Sequence, residues 1–468
     1  MKVQRAYQIQ IKQNHPIYDT ITDFCIKSKN VYNYGNYIIR QIFITTSKLK
    51  NNQPINQEQQ KFLNNINIRI DDYNEFKLTN FKKKQAKGKY IGKIFKSVKY
   101  FDKDNRKCSY DFLDFVLKDS DCFKNLGSNS SQQTLRSLIN NWNSFFKGIK
   151  EWNKYPDKFL GKPKLPNYKN TKTGKYSLFL CNNQFRIENN YLYFAWIPLK
   201  PFNNTFKINI PKNSKLIQLR FIPKNNVYNM ELVYEKEVSD TNDLKESTRI
   251  CGIDLGVNNF VTMSNNIGLK PIIINGKIIK SINQFYNKNL AYYKSKLKKI
   301  NSKDWSNKLN KLTIKRDNKI KYYMHCASKI IINYCINNNI DTIIIGKNNE
   351  WKQNSDLYKT ANQTFVQIPY ENFIDMIKYK AEDIDIKVIL TNESYTSGTS
   401  FLDEELPCKQ NYNYSRRIFR GLFKSNTGQL INSDVNGSLQ IIKKVIPNAF
   451  TGYGIEGLDL TPIIINVA

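Results

Sequence analysis

The spacing of apolar residues changes along the chain, and each change predicts a different kind of structure. From Val3, apolar and polar residues alternate, which is typical of a β-strand. From about Tyr18 to Trp152, apolar residues recur every three or four positions, and this spacing predicts helices. Between Tyr176 and Lys236, short apolar runs are broken by Asn, Pro and Lys, which predicts successive strands. A helical insertion is therefore expected to interrupt a small β-barrel or sandwich.

The second half of the chain mixes strands and helices. After a polar linker at 238–248, the runs RICGID, NFVTMS and PIIIN predict three strands, and a long basic helical region follows. Then come the run TIIIG, a helix around 370–381, the run KVIL and a last helix near Asp434. The order β-β-β-α-β-α-β-α predicts a mixed sheet with helices on its faces. The glycine-containing tail after Pro447 is expected to be loose.

The charge balance indicates an acidic polymer as partner. Lys and Arg number 73 against 39 Asp and Glu, a net charge of +34, so nucleic acid is the leading candidate. Two stretches, 74–107 and 288–321, each hold twelve basic residues, and the first interleaves them with six aromatic rings. Charge for phosphates and rings for bases occur together there. The alternatives are a solvated helix face for each stretch and an AT-rich coding bias for the excess of lysine.

Cysteine use and the first residues indicate a cytosolic type of protein. The eight cysteines are scattered and form no C-x-x-C pair, so we expect reduced thiols. The first twelve residues, MKVQRAYQIQIK, lack the apolar core of a signal peptide, and no run of ~18 apolar residues occurs. We therefore expect a cytoplasmic protein, associated with the nucleoid in a prokaryote, with no membrane partner.

Three acids are placed where a sheet could bring them together. Asp254 ends an apolar strand before a glycine turn, Glu393 follows the strand ending at Leu390, and Asp434 lies in the first turn of the last helix. Alone, the first motif also fits an actin-like ATPase or a hairpin turn, and each of the others fits a turn or helix cap. Together they could form a cluster of hard oxygens that requires Mg²⁺, as in phosphodiester hydrolysis.

Eight phrases carry a resemblance to a known family: KNVYNYGNYIIRQ at 29–41, GKPKLPNYK at 161–169, GIDLGVNNF at 252–260, INGKIIKSINQFYNK at 274–288, IIIGKNNEWKQ at 343–353, FVQIPYENF at 365–373, NESYTSGTSFLDEE at 392–405 and RRIFRGLFKSNTGQLINSDVNGSL at 416–439. With these phrases in this order, the chain resembles the TnpB (OrfB) proteins of insertion sequences. Their relatives are the type V CRISPR effectors and the eukaryotic Fanzor proteins.

This resemblance implies an RNA-guided DNA endonuclease with a multidomain α+β and α/β fold. The implied parts are a β-barrel wedge domain (1–14 and 155–245), a helical recognition domain (15–154), a RuvC-like nuclease domain of RNase H fold (246–394 and 432–447), a target-nucleic-acid-binding insertion (395–431) and a flexible tail (448–468). Two Mg²⁺ ions, with Mn²⁺ as a substitute, would be held by Asp254, Glu393 and Asp434. The implied partners are a guide RNA and a target double-stranded DNA with a short flanking motif.

The sequence departs from the family pattern in two places. The commonest pattern has its middle acid at the end of the fourth strand, where this chain has Gly346, which cannot ligate a metal. Glu393 matches a branch with the acid after the next strand, and Glu350 is the competing candidate. Many relatives also carry a zinc ribbon, but Cys408 is the one cysteine between Glu393 and Asp434, so no zinc is expected.

Eleven residues are predicted to contact nucleic acid, within the first long helix, the first basic stretch and the insertion: Tyr32, Asn33, Tyr37, Arg40, Lys82, Lys83, Lys84, Arg416, Arg417, Arg420 and Lys424. An ordinary basic loop is the alternative for the insertion. Two other functions stay open: a guide-dependent repressor that does not cut, and a compact type V CRISPR effector. A strand transposase is disfavoured because no His-hydrophobe-His motif occurs. The oligomeric state is left open.

Overall fold

A computed structural model describes residues 1–90, 92–238, 248–301, 304–348, 366–419, 421–450 and 459–467. The chain divides into two compact units, which we call the N-terminal unit (Gln4–Lys236) and the C-terminal unit (Met1–Val3 with Glu237–Ala468). Residues 239–247 of the predicted linker lie outside the described residues. The finer division into wedge, recognition and nuclease domains stays a prediction.

The helical block predicted in the N-terminal unit is confirmed. It consists of α1 (Tyr18–Lys50), α2 (Gln57–Ala86), α3 (Tyr110–Leu117), α4 (Asp121–Leu126) and α5 (Ser128–Lys154). Leu135, Leu138 and Trp142 form the buried stripe of α5. They pack on α1 at Gly35, where an added Cβ would lie 2.9 Å from the Leu138 Cδ2 atom. A side chain at this position would therefore require the leucine side chains to shift, and glycine lets the helix pair approach closely without that shift.

The strands of the N-terminal unit form an open sheet and a separate hairpin. The sheet has the order β1-β6-β5-β2, and the hairpin pairs β3 with β4. Their bounds are β1 (Lys2–Ile11), β2 (Leu178–Cys181), β3 (Phe185–Glu188), β4 (Tyr191–Phe194), β5 (Lys215–Lys224) and β6 (Val227–Glu237). The run TFKINI at 205–210 is one of the short runs between Tyr176 and Lys236 that were expected to be strands, but it forms only an isolated bridge between Lys207 and Tyr191. With β1 and β2 at its edges, the four-stranded sheet is open in the described residues of this unit, and the assignment to a β-barrel or sandwich stays a prediction.

The C-terminal unit contains the predicted mixed sheet, in the order β11-β10-β7-β8-β9-β15. Its main elements are β7 (Ile250–Leu255), β8 (Asn259–Asn265), β9 (Ile272–Asn275), α6 (Lys277–Asn301), α7 (Asn307–Asn337), β10 (Thr342–Gly346), α8 (Tyr370–Glu382) and β11 (Lys387–Thr391). A small sheet of β12 (Arg417–Phe419), β13 (Leu422–Lys424) and β14 (Leu430–Asn432) precedes α9 (Ser433–Val445). Strand β10 runs parallel to both β7 and β11, whereas β7, β8 and β9 are antiparallel.

The tail corrects an expectation from the sequence. Residues Ile463–Ile465 form β15, which pairs in parallel with β9 and extends the sheet by one strand. The backbone N–H of Ile463 donates to the Pro271 carbonyl at 2.8 Å. The expectation of a loose tail is therefore wrong for this segment, because the free edge of β9 offers partners to its backbone.

The core of the C-terminal unit explains how its sheet positions α9. All of β10 is buried, with Ile343 and Ile345 packed in the cluster that includes α7 and α8, and Ile344 packed on the other face with α9. Both faces of a parallel strand are thus covered by helices. A Cβ added to Gly252 would collide with the Ser438 carbonyl oxygen, so α9 lies directly on β7. No helix in the described part of the chain is long and apolar enough to cross a membrane.

Candidate active site

Asp254 lies on β7, a central strand of the sheet, which fixes its position. It is the last residue but one of β7, which pairs with β8 on one side and β10 on the other. Burial raises the pKa of its carboxyl well above the ordinary value, and the negative charges of Glu393 and Asp434 raise it further. Arg417 and the Leu255 backbone N–H oppose this shift. A carboxylate in these surroundings has a strong demand for a compensating cation.

Asp434 is placed by the start of α9. The Asn432 side chain caps this helix by accepting from the backbone N–H groups of Asp434 and Val435. One turn later the helix passes so close to β7 that a Cβ at Gly437 would lie 2.8 Å from Asp254 Oδ2. The Asn259 amide donates to Asp434 Oδ2 at 2.7 Å. The start of α9 therefore presents Asp434 to the end of β7.

Glu393 reaches the site from a strand that is not adjacent to β7. It lies two residues beyond β11, and β10 separates β11 from β7. The last register pair of β10 and β11 is Gly346 with Thr391, two residues before Glu393. A Cβ added to Gly346 would lie 3.2 Å from Glu393 Oε2 and 2.5 Å from Ile441 Cδ1. The glutamate carboxylate thus lies over Gly346, in space that a side chain at this position would enter.

The three acids line one pocket of about 520 Å³, together with polar and aromatic side chains: Asn259, Thr262, Asn348, Tyr395, Tyr412 and Arg417. The structure therefore brings together the three acids that the sequence placed on separate elements. Asn348 donates to Glu393 Oε1 at 2.9 Å, and an Arg417 nitrogen lies 3.8 Å from Asp434 Oδ1. Their role as metal ligands stays a prediction.

The chemical type of the donor atoms in the pocket suits a divalent cation. Carboxylate oxygens are the hard ligands that Mg²⁺ prefers. Among the described residues, no group of three or more His, Cys, Asp or Glu side chains is arranged to hold a metal ion. Mg²⁺ is usually held by only one or two carboxylates, with waters and substrate phosphates completing its shell. An ion shared by two of these acids is therefore compatible with the arrangement. The absence of zinc stays a prediction.

Two neighbouring arginines of the insertion have different surroundings. Arg416 is largely buried, and its two terminal nitrogens bind both oxygens of Glu405, at 2.6 and 2.8 Å. This bidentate ion pair holds Arg416 within the insertion, and its contact with nucleic acid stays a prediction. Arg417 lines the carboxylate pocket, and Lys424 is exposed at the end of β13, so their nucleic-acid contacts stay predictions. Arg420 lies outside the described residues.

The residues predicted on α1 mostly face other parts of the protein. Tyr32 is 2% exposed, so it offers no surface to RNA and the prediction is wrong for this residue. The Asn33 side chain donates to the Lys169 carbonyl and accepts from the Lys169 N–H, and Arg40 donates to the Pro166 carbonyl at 2.8 Å. These two side chains hold the segment 166–169 against α1. Tyr37 is exposed, so its nucleic-acid contact stays a prediction.

The lysines predicted on α2 have the exposure that their role requires. Lys82, Lys83 and Lys84 are all exposed in the last part of the helix. The Lys84 ammonium lies 5.2 Å from the centre of the Tyr90 ring. Their contact with nucleic acid stays a prediction.

Of the polar and aromatic pocket residues named above, the sequence analysis missed five: Asn259, Thr262, Asn348, Tyr395 and Tyr412. Two of them had a local signal, since Asn259 follows Asp254 in GVNNF and Asn348 follows Gly346. Polar side chains directly after such strand ends are candidates for the same site. Tyr412 had no such signal, because only the folding of the insertion brings it to the pocket.

Comparison with known proteins gives two family matches and two structural ones. The family model OrfB_IS605, described as a probable transposase, matches residues 231–352, and the Cas12f1-like TNB domain matches 370–441. A cryo-EM Cas12f1-sgRNA-target DNA complex is 12% identical, with 93% of this chain and 98% of that chain covered and a TM-score of 0.32. A cryo-EM CRISPR-Cas12f ternary complex is 11% identical, with 94% of this chain and 98% of that chain covered and a TM-score of 0.33.

TM-scores this low do not establish a shared fold, and no curated protein matches the chain. The two family matches follow each other along the chain, lie almost entirely in the C-terminal unit and include all three acids of the pocket. They support a TnpB-like (OrfB) family member, since 231–352 is similar to the OrfB_IS605 probable transposase and 370–441 to the Cas12f1-like TNB domain.

Proposed function

We propose that this protein is an RNA-guided DNA endonuclease of a transposable element. It would hydrolyse DNA at sites that pair with a guide RNA beside a short flanking motif. The observation that carries this proposal is the meeting of Asp254, Glu393 and Asp434 in one pocket of the mixed sheet. The family matches support it, because they cover the elements that carry these acids.

In this proposal the three acids hold two Mg²⁺ ions, for which Mn²⁺ can substitute. Bound divalent cations at such a site activate water and stabilise the leaving oxygen of a phosphodiester. The chain's own residues prepare the site: Asn348 orients Glu393, Asn259 orients Asp434, and Arg417 provides positive charge beside Asp434. Arg417 is therefore placed to bind a phosphate of the DNA strand.

The proposed partners are a guide RNA and a target double-stranded DNA. The net charge of +34 supports binding to phosphate backbones, which is strongly salt-dependent. In RNA-guided effectors base pairing reads most of the sequence, while the protein reads shape and the flanking motif. Under this proposal the C-terminal unit contains the RuvC-like nuclease domain, and the N-terminal unit contains the wedge and recognition domains.

A guide-dependent repressor is the second candidate, and the structure offers a reason to rank it lower. A protein that only binds DNA has no use for three carboxylates whose charges raise the pKa of Asp254. The match to a Cas12f1-like TNB domain keeps a compact type V effector as a further candidate. This effector would share the chemistry and differ in the origin of its guide.

The test uses the protein purified with the RNA that co-purifies from its own element. After that RNA is sequenced, matching DNA is incubated with the complex in Mg²⁺ or in a chelator. We expect cleavage only with Mg²⁺, loss of cleavage in Asp254→Ala, and guided binding close to that of the wild type. Asp375→Ala, which removes an exposed acid of α8, should cut normally. An RNA-free preparation with full activity on DNA would contradict the proposal.

A further inference from the structure

One side of α9 crosses the sheet where the three acids meet. Four residues at intervals of three or four positions share this side of the helix: Asp434, Gly437, Ile441 and Lys444. A Cβ added to Gly437 would lie 2.8 Å from Asp254 Oδ2, so this part of the helix lies at the end of β7. One turn later, Ile441 lies over Gly346 at the end of β10. The helix therefore runs from the strand of one acid towards the strand that precedes another.

Lys444 connects this side of the helix to the turn that follows β11. Its ammonium donates to the Ser394 carbonyl at 2.7 Å. Burial lowers the pKa of Lys444, and the negative charge of Glu393 opposes this shift, so the glutamate is a charged neighbour of the ammonium. A lysine in the last turn of a helix commonly binds the carbonyls of its own helix. This lysine instead binds the backbone directly after a candidate metal ligand.

The position of Glu393 depends on contacts of this kind because Glu393 lies beyond the end of its strand. Thr396 donates from its backbone N–H and its hydroxyl to the Glu393 carbonyl, at 3.2 and 2.7 Å. These bonds lie within the turn at 393–396, so they fix its shape and not its place against the sheet. Asn348 holds the carboxylate from the segment after β10. Lys444 holds the backbone of the turn from the helix that also carries Asp434.

We propose that Lys444 is a positioning residue that fixes the turn of Glu393 relative to Asp254 and Asp434. The first turn of α9 presents Asp434 and its last turn presents Lys444, so a shift of the glutamate turn against this helix would change the spacing of the three acids. Groups that orient metal ligands typically cost 10- to 100-fold in metal affinity or activity when they are removed, by the roughly known range for such sites. This inference rests on the proposed nuclease function and adds a residue to its site.

The neighbouring Lys443 provides a matched control. It is half-buried like Lys444, and its ammonium donates to the Glu404 carbonyl, which does not line the carboxylate pocket. Burial lowers the pKa of Lys443 too, but the charges that oppose the shift are Glu404 and Glu405. Removal of either ammonium deletes a hydrogen bond from α9 to a backbone carbonyl. A purely structural role therefore predicts the same result for both lysines.

The experiment measures metal affinity without relying on DNA cleavage. In the protein with its co-purified RNA, Fe²⁺ replaces Mg²⁺ and, with ascorbate and peroxide, generates radicals that cut the polypeptide near the bound metal. The Fe²⁺ concentration that gives half of the maximal cutting near Asp254, Glu393 and Asp434 measures the affinity of the site. We expect this concentration to be about 10-fold higher in Lys444→Met than in the wild type and unchanged in Lys443→Met. Lys444→Arg should restore most of the affinity, because it keeps a cationic donor.

Two further measurements separate positioning from folding. Both Met variants should unfold at similar denaturant concentrations, since each loses one comparable hydrogen bond. DNA cleavage by Lys444→Met should be slow at low Mg²⁺ and recover at high Mg²⁺, whereas Lys443→Met should cut like the wild type throughout.

The positioning role is overturned if the two Met variants bind Fe²⁺ equally well. It is also overturned if Lys444→Met binds Fe²⁺ more tightly than the wild type, because Lys444 would then be a competing cation. A wild type that never cuts matched DNA in Mg²⁺, but whose Fe²⁺ affinity depends on Lys444, would contradict the nuclease and support the positioning role. Guided cleavage by the wild type, with equal Fe²⁺ affinity in the two Met variants, would do the reverse.

Discussion

The carboxylate pocket and the inner face of α1 both carry residues predicted to be functional, and they differ in what those residues contact. The pocket collects Asp254, Glu393 and Asp434 from three elements. On α1, Asn33 and Arg40 use their polar groups on the backbone of 166–169. A sheet fixes where its strand ends meet, whereas a helix residue faces whichever segment folds against it. Residue type alone therefore predicts function better at a strand end than on a helix.

The same difference occurs between two adjacent residues of the insertion. Arg416 is bound to Glu405, and Arg417 lines the pocket beside Asp434. Glu405 is eleven residues before Arg416 in the sequence, and the pattern of charges does not show which arginine it binds. One arginine is therefore part of the fold and the other part of the site.

The largest effect on stability is expected from Arg416→Met. Breaking a largely buried ion pair leaves Glu405 charged without a partner, which costs about 3–5 kcal/mol. Arg417→Met should change the free energy of unfolding by less than about 0.5 kcal/mol but weaken DNA binding and cleavage. Denaturant unfolding and cleavage rates of both variants measure this contrast. Equal losses of stability would show that the two arginines have the same role.

Gly346 tests whether the displaced glutamate depends on space over β10. In Gly346→Ala, the new Cβ would lie 2.5 Å from Ile441 Cδ1 and 3.2 Å from Glu393 Oε2, so the carboxylate must shift. At 3.2 Å the carboxylate must give by a few tenths of an ångström, which is less than the displacement of about 1 Å that costs roughly 10²-fold in rate, so we expect a loss of about 3- to 10-fold in single-turnover cleavage. Gly161→Ala, where an added Cβ meets nothing within 4 Å, is the control and should cut normally. Normal cleavage by Gly346→Ala would contradict the proposed position of Glu393.

Asn33→Ala tests the assignment of α1 to the fold. It removes two hydrogen bonds to the Lys169 backbone, so we expect a loss of about 1–3 kcal/mol in unfolding free energy. The slope of RNA affinity against salt, on logarithmic axes, should stay unchanged because no phosphate contact is lost. Replacement of Lys82, Lys83 and Lys84 by Gln should instead make that slope less steep by about 2. If Asn33→Ala leaves the unfolding free energy unchanged and weakens RNA binding, Asn33 contacts nucleic acid and α1 is part of the binding surface.

The smallest effect is a pH dependence of the ion pair in the insertion. Burial would raise the pKa of Glu405, but hydrogen bonds from Arg416 and the Ser400 N–H outweigh it, so the pKa is lowered from 4.5. The stability that this shift provides is present above pH 4.5 and is lost as the pH falls through the lower folded value. The difference in unfolding free energy between wild type and Glu405→Gln should therefore shrink below pH 4.5. A difference that stays constant down to pH 3 would mean that Glu405 is not stabilised by the pair.

The parts of the fold that the sequence predicts well are those with long apolar patterns. The runs that form β7 and β10 are mostly apolar, and burial on both faces explains why. Strand β15 is three residues long and pairs with β9, which lies 191 positions earlier (Ile463 with Ile272), so nothing local identifies it. The run at 205–210 shows the opposite error, since it alternates apolar and polar residues but forms only one bridge, to Tyr191 of β4, so an alternating pattern alone is not sufficient for a strand.

The candidate site follows the same rule. Asp254 and Asp434 are placed by regular elements, and their proximity follows from the contact between α9 and β7. Tyr32 is of a residue type that often stacks on RNA bases. Its neighbours in space come from a distant part of the chain, and they include Tyr176, whose ring centre lies 4.4 Å from that of Tyr32. Burial of this kind depends on long-range packing that residue type does not reveal.

The most direct test compares cleavage by Glu393→Ala and Glu350→Ala with RNA-guided binding as the common control. Glu350 lies outside the described residues and competes with Glu393 because it follows the fourth strand of the nuclease part in sequence. If Glu393 holds a metal over Gly346, its alanine variant should lose Mg²⁺-dependent cleavage while Glu350→Ala cuts like the wild type, with binding unchanged in both. The reverse result, cleavage by Glu393→Ala and none by Glu350→Ala, would show that the site is built from β10 and contradict this account.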